Sequence, residues 1–176
     1  MLTGPKLASN FHSDRKLPGA ATHRAVGAER PRLIQIANWA DLVKIISIRL
    51  TNRGGSIGVI TYRKLDVTEV CKQLKTALGN ERVSSYTSGM TRGAELIQMR
   101  DRGVTVISGE SAIGLEFETV YLQDLSRSLP RTTQLADRRL YMLAARARDF
   151  LYLVNGPESL TAAQLASLPP SPDLER

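Results

Sequence analysis

Two stretches of this chain gather side chains able to bind phosphate. In the first, Val104-Thr-Val-Ile-Ser-Gly-Glu-Ser-Ala-Ile-Gly-Leu-Glu-Phe-Glu-Thr-Val-Tyr-Leu122, an apolar run ends in a polar loop and a Gly-Leu-Glu-Phe turn. In the second, Asp137 to Val154, an apolar helical stretch ends in Arg146 and Arg148, and a second apolar run follows at once. A guanidinium stays charged at every physiological pH and meets phosphate oxygens in pairs, so arginines at the end of an element suit phosphate binding. As a solvated helix end they would only complement the helix dipole. The usual means of holding a triphosphate is missing. No Gly-x-x-x-x-Gly-Lys-Ser/Thr stretch occurs, and Gly4-Pro5-Lys6 lacks both the first glycine and the hydroxyl. No apolar strand ends in paired acids for Mg²⁺, so the chain alone is not expected to hydrolyse ATP. His12 and His23 are too few for a metal site, and no Gly-x-Ser-x-Gly nucleophile turn is present.

Charge points the same way. The 176 residues carry 24 Lys+Arg against 17 Asp+Glu, a formal net charge of +7. Arg127 to Arg148 holds six arginines against Asp137 alone, and Lys6 to Arg32 holds six cations against Asp14 and Glu29. Such clusters attract phosphate on nucleic acid or nucleotide, or else form a solvated basic face. With 42% hydrophobic and 23% charged residues the composition is that of a globular domain. The length suits one domain. No apolar run is long enough to cross a membrane, and the N-terminus lacks an apolar signal core. Cys71 is the sole cysteine, which excludes an internal disulfide. A soluble, cytoplasmic protein is the expectation.

The elements that must position these residues alternate. Arg32–Ile36, Ile57–Thr61, Arg82–Tyr86, Val104–Ser108, Thr119–Leu122 and Phe150–Val154 read as strands, mostly apolar throughout. Trp39, Leu42, Val43, Ile46 and Leu50 make a helical stripe that Asn52-Arg-Gly-Gly55 ends. Val67, Val70, Leu74 and Leu78 make another, with Asp66 and Glu69 at capping-box spacing before it and Gly79 as its cap. Helices are further expected at about 91–102, 135–146 and 158–168. Strands separated by helices predict an α/β three-layer sandwich around a mainly parallel sheet. In such sheets ligands sit beyond the carboxyl ends of the strands, a rule that points to the segments after Thr61, after Ser108 and before Arg146.

Gly114-Leu-Glu-Phe117 and Arg139-Leu140 followed by Ala145-Arg-Ala-Arg148 resemble motifs V and VI of superfamily 1 DNA helicases of the UvrD/Rep type. Leu7-Ala-Ser-Asn-Phe-His-Ser13 is similar to motif IV, and Gly58-Val-Ile-Thr-Tyr-Arg63 to the strand-then-Tyr-Arg segment between motifs IV and V. The four stand in the family's order, so the resemblance covers about residues 7–155 and corresponds to the second RecA-like domain. It implies a P-loop NTPase-like sheet without its own P-loop, at residues 32–157. Residues 1–31 would be a motif IV-like segment and connecting loop, and 158–176 a terminal helix and flexible tail.

The resemblance also implies roles. Arg146 would be the catalytic arginine that reaches a γ-phosphate, where the transferring oxygens need charge stabilisation. Phe11, His12, Gly114, Glu116 and Arg146 would form the ATP-binding set, with Phe11 beside the adenine and Glu116 near the sugar. Tyr62, Arg63, Ser108, Gly109 and Glu110 would lie along single-stranded DNA. No metal ligand is implied. ATP and Mg²⁺ would be held only together with an N-terminal RecA-like domain, on the same or a separate chain. Four positions depart from the pattern. His12 stands at an arginine of motif IV, Ile113 at the motif V lysine, Glu110 at a common histidine and Ala145 at the motif VI threonine. The expected function is therefore the C-terminal half of an ATP-dependent helicase or translocase. The alternative is a degenerate domain that binds single strands or docks a protein without catalysis, and a third reading is an α/β protein whose basic patches have no nucleic-acid role.

Overall fold

The computed structural model describes residues 29–86, 102–171 and 173–176. The motif IV-like segment, with Phe11 and His12, and most of the helix expected at 91–102 lie outside them. The described elements are β1 (Arg32–Gln35), α1 (Trp39–Arg53), β2 (Ser56–Thr61), α2 (Lys64–Leu78), a 3-10 turn (Asn80–Arg82), β3 (Val83–Tyr86), β4 (Gly103–Ser108), β5 (Phe117–Leu122), α3 (Gln134–Ala144), β6 (Ala147–Asn155) and α4 (Ala162–Ala166). All strand pairings are parallel, in the order β1-β6-β5-β2-β4-β3. The expected α/β fold is therefore present, with a sheet that is wholly parallel among the described residues.

The continuous apolar strands divide their side chains between two cores. Ile57, Val59, Val104, Val106, Tyr121 and Val154 face one layer, packed under Leu42, Ile46 and Leu50 of α1 and Val67, Val70 and Leu74 of α2. Their sequence neighbours Ile60, Ile107, Val120, Leu122, Leu151 and Leu153 face the other, with Leu140 and Leu143 of α3. Strand alternation with apolar residues on both sides requires cover on both faces, and the helices supply it. Tyr121 and Tyr152 stack with ring centroids 4.8 Å apart in the first core. Burial raises the Tyr121 hydroxyl pKa, so it stays protonated.

Three local expectations need correction. Asp66 and Glu69 do not box the start of α2, because the helix begins three residues earlier, at Lys64, with Arg63 rather than Asp66 at the N-cap and no side-chain cap from Arg63. The reciprocal capping box belongs to α1 instead. The Asp41 amide donates to Asn38 Oδ1 (3.1 Å) and the Asn38 amide to Asp41 Oδ2 (3.2 Å). The C-terminal segment is not a loose tail. Leu168 and Leu174 are buried in the α3 core, the Leu33 amide donates to Glu175 O (2.8 Å) and the Glu175 amide to Pro31 O (2.9 Å). The open side of the outer strand β1 supplies the hydrogen-bonding groups that hold it.

The third correction bears on the site. Helix α3 runs back across the sheet, so Arg146, one residue before β6, lies at the amino edge, not beyond the carboxyl ends. Leu140 is fully buried beneath α3. Leu140→Ala is expected to cost about 3 kcal/mol by lost burial and a residual cavity, measured by urea unfolding.

Candidate nucleotide and nucleic-acid surfaces

Among the described residues, those singled out in the sequence fall into two groups at opposite edges of the sheet, about 20 Å apart along a six-residue strand. At the amino edge, Arg146 is half-buried and its guanidinium folds over the turn before β5. Nε donates to Met142 O (3.0 Å) and Nη1 to Leu115 O (3.3 Å). The Phe117 amide returns a hydrogen bond to Arg146 O (2.8 Å). The end of α3 and the Gly114–Phe117 turn are thereby fastened together across 31 positions of sequence. Gly114 adopts φ +85°, which an L side chain would strain, and so delivers Leu115 O toward the arginine. Glu116 and Arg148 are exposed beside this junction. Ile113, at the position of the motif V lysine, is 65% exposed. The guanidinium is thus seated on its own domain rather than extended away from it.

At the carboxyl edge the strand order reverses between β2 and β5. Helix α2 carries the chain from β2 toward β3 over one face, and α3 carries it from β5 toward β6 over the other. The crevice beyond two such strands is the default ligand position of an open α/β sheet. Its residues are Tyr62 and Arg63 after β2 and Gln123 and Asp124 after β5. The Tyr62 amide donates to Gln123 Oε1 (2.9 Å), which joins the two sides. A recess of about 20 Å³ remains there, lined in part by Trp39, Tyr62, Arg63, Asp66 and Gln123, a volume that suits a single water. Helix α2 starts at this edge with no side-chain cap from Arg63, and the Asp66 carboxylate in its first turn accepts from the Arg63 amide.

The loop after β4 completes the edge. Ser108 is buried and its hydroxyl meets that of Ser111 at 3.1 Å. Gly109 is the point of closest approach, since a Cβ there would collide with Asp124 Oδ2 and press on Arg139 Nη2. Asp124 is fully buried and forms an ion pair with Arg139 of α3, whose side chain is 20% exposed. Burial raises the Asp124 carboxyl pKa, and the Arg139 charge opposes that rise. Asp124 Oδ1 and Arg139 Nε have no partner among the described residues. Glu110 is exposed and pairs with Arg127 (2.8 Å), whose guanidinium lies 4.8 Å from the Tyr62 ring centroid. A hydrogen bond from Arg127 lowers the Glu110 carboxyl pKa. Arg63 pairs with Glu158, which raises the arginine's pKa further.

Among solved structures, the C-terminal domain of a possible DNA helicase from Lactobacillus plantarum is similar over 84% of this chain and 85% of its own, with TM-score 0.55 and 21% identity. The Pyrococcus furiosus Hef helicase domain matches over 83% of this chain with TM-score 0.55 and 14% identity, and T. fusca Cas3 over 84% with TM-score 0.56 and 15% identity. The fold is that of a helicase C-terminal RecA-like domain. The chain spans about a third of the Hef domain and a fifth of Cas3. No family model and no curated protein matches the sequence.

Within this RecA-like domain, Tyr62, Arg63, Ser108, Gly109 and Glu110 share one edge, and Gly114, Glu116 and Arg146 share the other. Gln123, Asp124 and Glu158 are carboxyl-edge residues that carry no sequence signal of their own, whereas Arg127 and Arg139 belong to the arginine cluster of residues 127–148. The Gln123-Asp124 pair does follow directly on a buried strand, but only the strand order makes that position a crevice. No group of three or more metal-ligating side chains occurs among the described residues, and no helix there is long and apolar enough to cross a membrane.

Asp124→Ala leaves the Arg139 charge partly buried without its partner. It should destabilise the domain by about 3 kcal/mol, read by urea unfolding, and a loss below about 0.5 kcal/mol would contradict the pairing. In a carboxyl ¹³C titration, Glu110 should show a midpoint below the ordinary glutamate value of about 4.3, and Arg127→Ala should move it back up. The ionised Glu110 is favoured in the folded state, so this contact strengthens as pH rises through the carboxylate range and is lost below it.

Proposed function

We propose that this chain is the C-terminal RecA-like half of an ATP-dependent DNA helicase or translocase of the superfamily 1 UvrD/Rep type. One observation supports this reading most. Arg146 and the Glu116 turn, far apart in sequence and matching separate helicase motifs, are fastened together at one edge of the sheet. A guanidinium and a carboxylate held at one turn suit the phosphate and sugar of a nucleotide carried mainly by another domain. This chain lacks a phosphate loop, so ATP and Mg²⁺ would come with an N-terminal RecA-like domain. The bound nucleotide would supply the energy of phosphoryl transfer, and this half would supply a positive charge beside it. The half-buried seat of Arg146 fits the group, because two backbone carbonyls orient its Nε and Nη1 while its charge stays at the domain surface.

The carboxyl edge then serves single-stranded DNA. Tyr62 offers an aromatic face, Arg63 and Arg127 offer charge, and the Ser108–Glu110 loop offers backbone and hydroxyl groups. Closure and opening of a cleft between two RecA-like domains would move such an edge along a strand.

A second reading has its own observation. Arg146 spends two of its nitrogens on carbonyls of its own domain, and an exposed Ile113 stands where the motif V lysine would add charge. Both favour a module that binds strands without coupling to nucleotide.

Mixing the chain with an N-terminal RecA-like domain and measuring strand-stimulated ATP turnover separates the two. The helicase reading expects turnover to rise on addition of the chain and to fall about 10³-fold with Arg146→Ala. No stimulation, together with strand binding indifferent to nucleotide, would overturn it in favour of the module.

A further inference from the structure

The two exposed arginines nearest the β2–β5 crevice are each held by a carboxylate from another part of the chain. Arg127, after β5, is met by Glu110 from the loop after β4. Arg63, after β2, is met by Glu158 from the segment after β6. The two acids approach from opposite sides of the crevice, since β4 and β6 lie on either side of the β2–β5 pair. The Arg63 and Glu158 side chains line the small recess with Trp39, Tyr62 and Gln123. Arg127 also lies over the Tyr62 ring, so its contact with Glu110 and its cover of that aromatic face go together. All four charged side chains are between 45% and 69% exposed. Pairs this exposed contribute little to stability. Their effect is instead to present a carboxylate to each guanidinium where a phosphate would otherwise bind.

We propose that Glu110 and Glu158 are internal counter-anions that hold Arg127 and Arg63 across the mouth of the crevice until the phosphates of a single strand displace them. The inference rests on the reading of the carboxyl edge as a strand surface. A phosphodiester chain brings several charges at once and gains entropy from released counter-ions, so it outcompetes two isolated exposed carboxylates. A lone small anion has no such advantage, and the carboxylates therefore select for polyanions. Displacement of Glu110 also frees Arg127 to swing off Tyr62, and a base can then stack on the uncovered ring.

The test is a fluorescence-anisotropy titration of a labelled oligothymidylate at low salt. It uses the whole chain, Glu110→Gln, Glu158→Gln, and Glu69→Gln on α2 as a remote loss of the same charge, with folding checked by thermal melts. Glu110→Gln and Glu158→Gln should each tighten binding about two- to fivefold, and Glu69→Gln should leave it nearly unchanged. Introducing Glu110→Gln into Arg127→Ala should then give no further tightening, because the arginine it would free is gone. Tightening that persists in the Arg127→Ala background would reduce the effect to general charge and overturn the proposal. Wild-type binding with unchanged or weaker binding in both glutamine variants would overturn it while leaving the strand surface standing. Absence of binding by every variant would overturn both.

Discussion

The buried contact between Arg139 and Asp124 ties α3 to the crevice side of the sheet. A carboxylate with no exposure is costly unless a cation faces it, so α3 is held at a fixed position and rotation over its apolar core. Two consequences follow. Gly109 must be glycine-small, because the pair occupies the space where its Cβ would be. Arg146, seven residues and two helical turns further on, must arrive over the Gly114–Phe117 turn. The loop after β4 and the turn before β5 are therefore positioned by the same helix, one from its middle and one from its end.

This arrangement separates two kinds of chemistry. In a wholly parallel sheet, every loop that follows a strand gathers at one edge and every loop that precedes a strand gathers at the other. The carboxyl edge collects Tyr62, Arg63, Gln123 and Arg127 with two acidic partners, and the amino edge collects Glu116, Arg146 and Arg148. On the proposed reading, strand and nucleotide meet different edges of one rigid body. A displacement caused at one is then transmitted to the other through α3 and the strands rather than through direct contact.

Much of the fold was legible in the residues. The apolar runs at 57–61 and 104–108 match buried central strands, and the stripe from Leu42 to Leu50 lies against the sheet as its spacing requires. Gly79 ends α2, its amide donating to Lys75 O. The first turn of α2 was misplaced because Asp66 and Glu69 have capping-box spacing, yet the chain enters the helix earlier, straight from β2. The C-terminal segment read as a tail because its prolines interrupt any period, and the burial of Leu174 depends on an open edge of β1 that no local pattern announces.

The site was legible in part for a similar reason. Motif likeness brought out Glu116, Arg146 and the Ser108–Glu110 loop, since those residues are near one another in sequence or in a known spacing. Their neighbours at the carboxyl edge, Asp124 and Arg127 after β5 and Glu158 after β6, belong to two separate connections and come together only through strand order. The edge on which Arg146 lies depends likewise on the direction of α3. The most direct test of the division between edges is an amide ¹H–¹⁵N titration of the chain with a single-stranded oligonucleotide. The account predicts that shifts cluster at residues 62–64, 108–111 and 123–127 and leave 114–117 and 146–148 in place, whereas shifts centred on the Arg146 turn with a silent carboxyl edge would contradict it.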